Sequence, residues 1–129
     1  MKNKILILDD DADILEILTL LLSETGYDVK TLNCGDTVFE DIKDFHPDLI
    51  IMDVMLAGMD GRTICKDIKD NHLTNSLPVI LISGTHDLAE SILQPGGPDD
   101  FLGKPFDIDN LLEKIKKQLS FQEPSNKCF

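Results

Sequence analysis

Leu-Ile-Ile-Met-Asp, at residues 49–53, is a run of four apolar side chains that stops at a carboxylate. Similar apolar runs occupy residues 5–8, which Asp9 follows, and residues 79–82, which Ser83 follows. None of the three runs alternates with polar residues, and this is the pattern of parallel strands covered on both faces. The sequence therefore predicts three buried strands, each with a polar residue at its carboxyl end.

Helical patterns lie between the strands. In the first, Asp11 is placed to cap the start and Gly26 to end the helix. The other helical patterns begin near Asp36, Asp60, residue 88 and Asp107. Two weaker strand candidates, at residues 27–32 and 101–102, suit sheet edges. Because strands that alternate with helices pair in parallel, we predict an α/β fold, a doubly wound five-stranded parallel sheet flanked by five helices.

Composition narrows the class of protein. The 129 residues, 42% of them apolar, are enough for one domain with a real core. We expect this domain to cover residues 1–119 and a polar tail to cover residues 120–129. The net charge of −12 repels phosphate backbones, so direct nucleic-acid binding is not expected. No apolar run is long enough to span a bilayer or to form a signal peptide.

The three cysteines, Cys34, Cys65 and Cys128, are odd in number and lack the spacing of a metal site. This usage indicates reduced thiols and a cytoplasmic protein. The three histidines are not spaced as metal ligands either, and we expect them at the surface.

Polar residues follow the predicted strands where an open parallel sheet binds its ligands, namely Asp9, Asp10, Asp53, Ser83 and Lys104. Crowded carboxylates repel one another unless a cation joins them, and oxygen ligands without histidine or thiolate favour Mg²⁺. A lysine and a hydroxyl complement a phosphoryl group, and an aspartate can form an acyl phosphate. Any one of these residues alone could be turn or cap chemistry, but together they predict a phosphoryl site.

With these residues in place, the chain resembles the receiver domains of two-component response regulators, in particular the single-domain, CheY-like type. The resemblance covers about residues 4–119 and rests on five motifs in order. They are Ile-Leu-Ile-Leu-Asp-Asp-Asp from residue 5, Pro-Asp-Leu-Ile-Ile-Met-Asp-Val-Met from 47, Gly-Met-Asp-Gly from 58, Val-Ile-Leu-Ile-Ser from 79 and Asp-Asp-Phe-Leu-Gly-Lys-Pro-Phe from 99. The resemblance implies the flavodoxin-like strand order 2-1-3-4-5.

The resemblance also implies roles for individual residues. Asp53 matches the phosphorylated aspartate, with Asp10 and Asp53 on Mg²⁺ directly, Asp9 through water and the Met55 carbonyl as a third protein ligand. The hydroxyl of Ser83 matches the group that hydrogen-bonds the phosphoryl group.

Three further features complete what the resemblance implies. Lys104 matches the lysine that pairs with the phosphoryl group, and the Lys104–Pro105 peptide is expected to be cis. Phe101 occupies the aromatic switch position and is expected to swing inward as Ser83 moves toward the phosphate.

By this resemblance, the chain is a phosphorylation switch and not a metabolic enzyme. A histidine kinase or a histidine phosphotransfer protein would donate the phosphoryl group to Asp53. Since no output domain is read in the sequence, we expect the chain to dock to a downstream protein or to relay the phosphoryl group. Neither nucleic acid nor a membrane is an expected partner. The sequence leaves open whether phosphorylation also drives homodimerisation.

Two other functions compete with this one. A haloacid-dehalogenase-type phosphatase would use the Asp-x-Asp spacing of Asp9 and Asp11, but it leaves Asp53 without a purpose. A receiver-like scaffold that is never phosphorylated is the other alternative, and the complete acidic set and lysine argue against it.

Three departures from the family pattern leave the predicted phosphorylation chemistry intact. They concern the surface through which receiver domains contact other proteins. Ala57 stands where the family usually has proline, Pro98 replaces a small residue, and the spacing from Ser83 to Lys104 is about one residue short. Because the short fourth helix ends at a Pro-Gly-Gly-Pro stretch, we expect the segment 86–101 to be mobile and to become ordered on phosphorylation.

Overall fold

The computed structural model describes residues 3–56, 58–84 and 97–122. Seven strands are present in this part of the chain: β1 (Lys4–Leu8), β2 (Asp28–Leu32), β3 (Leu49–Asp53), β4 (Met55–Leu56), β5 (Met59–Asp60), β6 (Val79–Ser83) and β7 (Asp100–Gly103). Four helices accompany them there: α1 (Ala12–Thr25), α2 (Val38–Phe45), α3 (Gly61–Asp70) and α4 (Ile108–Gln122).

Five strands form one parallel sheet in the order β2-β1-β3-β6-β7. This is the expected order 2-1-3-4-5, because β6 and β7 are the fourth and fifth strands of the predicted set. The register aligns Leu8 with Met52 and Asp53 with Ile82, so that neighbouring strands end at the same edge. The small strands β4 and β5 pair antiparallel in a separate hairpin after β3, which the sequence did not predict.

Two apolar layers cover the sheet. Along each strand, successive side chains face opposite layers: Ile7, Ile51 and Ile82 pack with α1 and α4, and Leu8 and Met52 pack with α2 and α3. Because both faces are buried, the central strands carry no polar alternation. At roughly 1.5–3 kcal/mol for each fully buried aliphatic side chain, these two layers dominate the stability of the fold.

Caps fix the helices near the carboxyl end of the sheet. Asp11 caps α1 by accepting a hydrogen bond from the Asp13 N–H, and Gly26 ends this helix at φ 106°. The left-handed conformation at Gly26 favours glycine, as the sequence indicated. Asp60 caps α3 in the same way by accepting from the Arg62 N–H. The caps at Asp11 and Asp60 set where α1 and α3 begin relative to the strands before them.

Several predictions fall outside the described residues: the fourth helix at 88–93, the substituted Ala57, Cys128 and most of the segment 86–101, which the sequence predicts to be mobile. In the part that the structure describes there are four helices, against the five predicted for the whole chain. The last helix continues to Gln122, past the expected domain end at residue 119. None of the described helices is long and apolar enough to cross a membrane.

Candidate functional site

The site forms where the strands of the sheet end. The Asp9 N–H donates to the Leu32 carbonyl at 3.1 Å, which extends the pairing of β1 with β2 by one residue. On the other side, the Lys104 N–H donates to the Ser83 carbonyl at 2.8 Å, just beyond β7. Together with Asp53, the last residue of β3, these backbone bonds bring the predicted polar residues to one edge.

Three carboxylates meet at this edge. Asp9, Asp10 and Asp53 each offer an oxygen within 4.8 Å of the others. The side chains of Asp9 and Asp53 are buried, at 2% and 5% exposure, whereas Asp10 is exposed. Buried carboxylates this close together repel, so the cluster requires positive charge.

Lys104 supplies part of that charge. Its ammonium Nζ lies 2.9 Å from Asp53 Oδ2 and 3.4 Å from Asp9 Oδ2. Burial opposes the ammonium form, but the hydrogen bond and charge of Asp53, with those of Asp9, outweigh it and raise the pKa of Lys104. The lysine therefore remains protonated and joins the two buried carboxylates.

Burial is also the main cause that raises the pKa of Asp9 above its usual value. The negative charge of Asp53 adds to this effect, while the Asp11 N–H and Lys104 oppose it. With all three carboxylates ionised and one ammonium present, two negative charges of this cluster remain uncompensated by the ion pairs among the described residues. This imbalance and the all-oxygen donor set fit a divalent hard cation such as Mg²⁺.

Backbone amides hold the other carboxylate oxygens. The Asp11 N–H donates to Asp9 Oδ1 at 2.9 Å, and the Met55 N–H donates to Asp53 Oδ1 at 3.2 Å. Met55 therefore lies at the rim of the cluster, with its side chain 67% exposed. That its carbonyl binds metal stays a prediction.

Ser83 and Phe101 occupy neighbouring strands. Ser83 is the last residue of β6. It is fully buried and pairs with Gly103 of β7. Phe101 is half-buried, and it packs against the apolar layer on the α2 and α3 side. The Lys114 ammonium lies 5.9 Å from the centre of the Phe101 ring. The inward movement of Phe101 stays a prediction.

The Lys104–Pro105 peptide is cis, as expected.

Gly61 is a site residue that the sequence reasoning did not single out. A Cβ atom at this position would overlap the Asp53 carbonyl oxygen and press on the Cα of Val54. The Gly61 N–H also donates to the Val54 carbonyl at 2.8 Å, which draws the start of α3 against the end of β3. The signal was the glycine directly after the Asp60 cap, because no other side chain fits so close an approach.

Comparison with known proteins identifies the family. The model of the response regulator receiver domain matches residues 5–116. Among curated relatives, the DNA-binding response regulator MtrA of Mycobacterium tuberculosis (strain ATCC 25618 / H37Rv) is 29% identical over 120 residues, covering 92% of this chain and 51% of that protein. The transcriptional regulatory protein GltR of Pseudomonas aeruginosa is 34% identical over 118 residues, covering 91% and 49%. The chain thus spans about half the length of these relatives.

Solved structures of similar fold also belong to response regulators. A response regulator from Chloroflexus aurantiacus J-10-fl superimposes with a TM-score of 0.84 at 34% identity, covering 93% of this chain and 99% of that one. A CheY-like receiver domain protein from Methanospirillum hungatei JF-1 gives 0.87 at 28% identity, covering 97% and 99%. These matches decide against the dehalogenase-type phosphatase. The chain belongs to the receiver domains of two-component response regulators.

Proposed function

We propose that Asp53 is the phosphorylation site of this receiver domain and that Mg²⁺ supports the reaction. The arrangement that carries the proposal is the ammonium of Lys104, 2.9 Å from Asp53 Oδ2, in a cluster of three carboxylates at the end of the central strand. The excess negative charge of the cluster would attract a divalent cation. The cation and Lys104 would then provide positive charge for the phosphoryl oxygens.

Asp10, Asp53 and the Met55 carbonyl would hold Mg²⁺ directly, and Asp9 would hold it through water. The ion supplies positive charge for the phosphoryl oxygens in an otherwise negative cleft. Asp9 suits an indirect role, because one of its oxygens is held by the Asp11 N–H and the other lies 3.4 Å from Lys104.

The donor is a phosphohistidine of a histidine kinase or of a histidine phosphotransfer protein. A carboxylate oxygen of Asp53 attacks the phosphorus, the P–N bond breaks, and the bonding electrons return to the imidazole nitrogen. The products are an acyl phosphate on Asp53 and a histidine that is neutral because its other ring nitrogen carries a proton before the transfer. Lys104 would then pair with a phosphoryl oxygen, and Ser83 would donate its hydroxyl hydrogen to another.

The signal leaves the domain through a conformational change around Ser83 and Phe101. The chain catalyses its own phosphorylation and hydrolysis and has no metabolic substrate, and its output is contact with another protein. We place it in the cytoplasm, with residues 1–119 as the receiver and 120–129 as a tail, and with neither nucleic acid nor a membrane as a direct partner of this segment. A phosphorylation-dependent homodimer is an alternative form of the output.

The test is phosphorylation with a small donor. Incubating the chain with Mg²⁺ and acetyl phosphate should add a single phosphoryl group by intact mass, and Asp53→Asn should abolish it. Asp60→Asn is the matched control, because Asp60 is a nearby carboxylate that caps α3 and pairs with Arg62. Full labelling of Asp53→Asn would overturn the assignment, and no labelling of the parent would favour the scaffold that is never phosphorylated.

A further inference from the structure

Asp11 stands directly after the two acidic residues that the site uses, but its side chain does not join the carboxylate cluster. Its Oδ1 accepts a hydrogen bond from the Asp13 N–H at 2.9 Å and so caps α1. Its carbonyl accepts the first helical bond, from the Leu15 N–H at 3.1 Å. These two bonds fix the conformation of residue 11 at the start of the helix.

The third polar group of Asp11 reaches the site. Its backbone N–H donates to Asp9 Oδ1 at 2.9 Å. Since Asp9 is 2% exposed, water cannot easily replace this donor. The other oxygen of Asp9 faces Lys104 at 3.4 Å, so the two bonds together fix the plane of the carboxylate.

A short series of contacts connects α1 to the site. Leu18 and Leu22 anchor the helix in the apolar layer that it shares with α4. The cap holds residue 11 on the first turn of the helix, and the residue 11 amide then holds Asp9. The orientation of Asp9 therefore depends on how α1 begins.

We propose that Asp11 is a positioning residue for the metal site, and that it acts through its cap on α1 and not through its charge. The inference rests on the proposed Mg²⁺-dependent phosphorylation of Asp53. Residue 11 has an extended backbone, with φ −93° and ψ 109°. Loss of the cap lets it leave this conformation, and Asp9 then loses the donor that orients it.

Three variants separate the cap from the charge. Asp11→Asn keeps a capping oxygen without the charge, whereas Asp11→Ala and Asp11→Gly lose the side-chain cap. By isothermal titration of the folded chain with Mg²⁺, we expect the Ala and Gly variants to bind about tenfold more weakly and the Asn variant to bind like the parent. Glycine is tolerated well at a cap position, so the Gly variant gives a folded protein if the Ala variant does not.

Asp107→Ala is the matched control. Asp107 makes the same two bonds at the start of α4, from the Asp109 N–H to its carboxylate and from the Leu111 N–H to its carbonyl, but the structure shows no bond from it to the three carboxylates. It should destabilise its helix while leaving Mg²⁺ binding unchanged.

The outcomes distinguish the two proposals. Equal weakening in the Asn, Ala and Gly variants would mean that charge and not the cap matters, and this would overturn the inference alone. Parent-like binding in the Ala and Gly variants would also overturn it alone. A parent chain that neither binds Mg²⁺ nor accepts a phosphoryl group would overturn the proposed function and this inference with it.

Discussion

Each end of the sheet has a lysine that pairs with aspartate. At the amino end, the Lys69 ammonium lies 2.5 Å from Asp99 Oδ2 and donates to the Leu77 carbonyl at 2.8 Å, while Asp99 also accepts from the Val79 N–H at 2.8 Å. One cation meets one carboxylate there, and backbone groups complete the bonding. At the carboxyl end, Lys104 faces two buried carboxylates with a third nearby.

The difference lies in the balance of charge. The balanced pair at the amino end ties α3 to the starts of β6 and β7, which is a structural task. The unbalanced cluster at the carboxyl end keeps an excess of negative charge although its buried oxygens are hydrogen-bonded, and such an excess is what a site for a cation requires. The two sets of ion pairs therefore differ in whether their charges cancel.

The largest expected effect comes from removing the lysine of the unbalanced cluster. Lys104→Met should slow phosphorylation of Asp53 by acetyl phosphate about a hundredfold, because a charged donor aimed at the phosphoryl oxygens is lost. The rate is measured by intact mass over time at saturating Mg²⁺. A rate equal to that of the parent would show that Lys104 is a structural lysine like Lys69.

Lys69→Met should lower the stability of the fold and leave the rate of phosphorylation unchanged. It should lower the free energy of unfolding by about 2–3 kcal/mol, because it leaves Asp99 without its cation, with partial exposure of Asp99 reducing the penalty. Urea unfolding followed by far-UV circular dichroism measures this value. The labelling rate of the folded protein should not change, and a slowed rate would break the contrast between the two ends.

The pH dependence of stability is a smaller effect that depends on Asp9. Because the pKa of Asp9 is raised in the folded chain, folding favours its protonated form. The stabilisation that comes from protonated Asp9 is fully present below pH 3.8, the ordinary pKa of an aspartate. This stabilisation is lost as the pH rises through the raised pKa of Asp9.

In metal-free buffer, Asp9→Asn should therefore flatten the fall in stability above pH 3.8 and raise the free energy of unfolding at neutral pH. Urea unfolding across this pH range measures the effect. A variant that is less stable than the parent at neutral pH would show that Lys104 compensates Asp9 fully.

The smallest effect is expected at the surface. Lys66 pairs with Asp70 at 2.8 Å, four residues further along α3, with both side chains more than half exposed. Lys66→Met should leave the free energy of unfolding almost unchanged, because water screens this exposed pair. It is the control for the other lysine variants, and a loss as large as that of Lys69→Met would mean that burial does not decide how much a lysine–aspartate pair stabilises the fold.

The sequence alone was enough for the parallel sheet and for the three carboxylates that meet at its edge. Apolar runs ending at Asp9, Asp53 and Ser83 predicted the buried strands and the edge where their polar residues gather, because parallel strands share one direction. The caps at Asp11 and Gly26 were equally readable, since they depend on residues close in the chain.

Only the tertiary structure decided how the site residues share their charge. That Lys104 bonds both Asp53 and Asp9, that Asp9 is buried while Asp10 is exposed, and that Gly61 packs on the Asp53 carbonyl are contacts that the sequence pattern did not reveal. Such contacts depend on the register of strands and on how closely helices approach them. Local patterns determine which elements form, but burial and distance, which set the electrostatics of the site, exist only once the elements pack together.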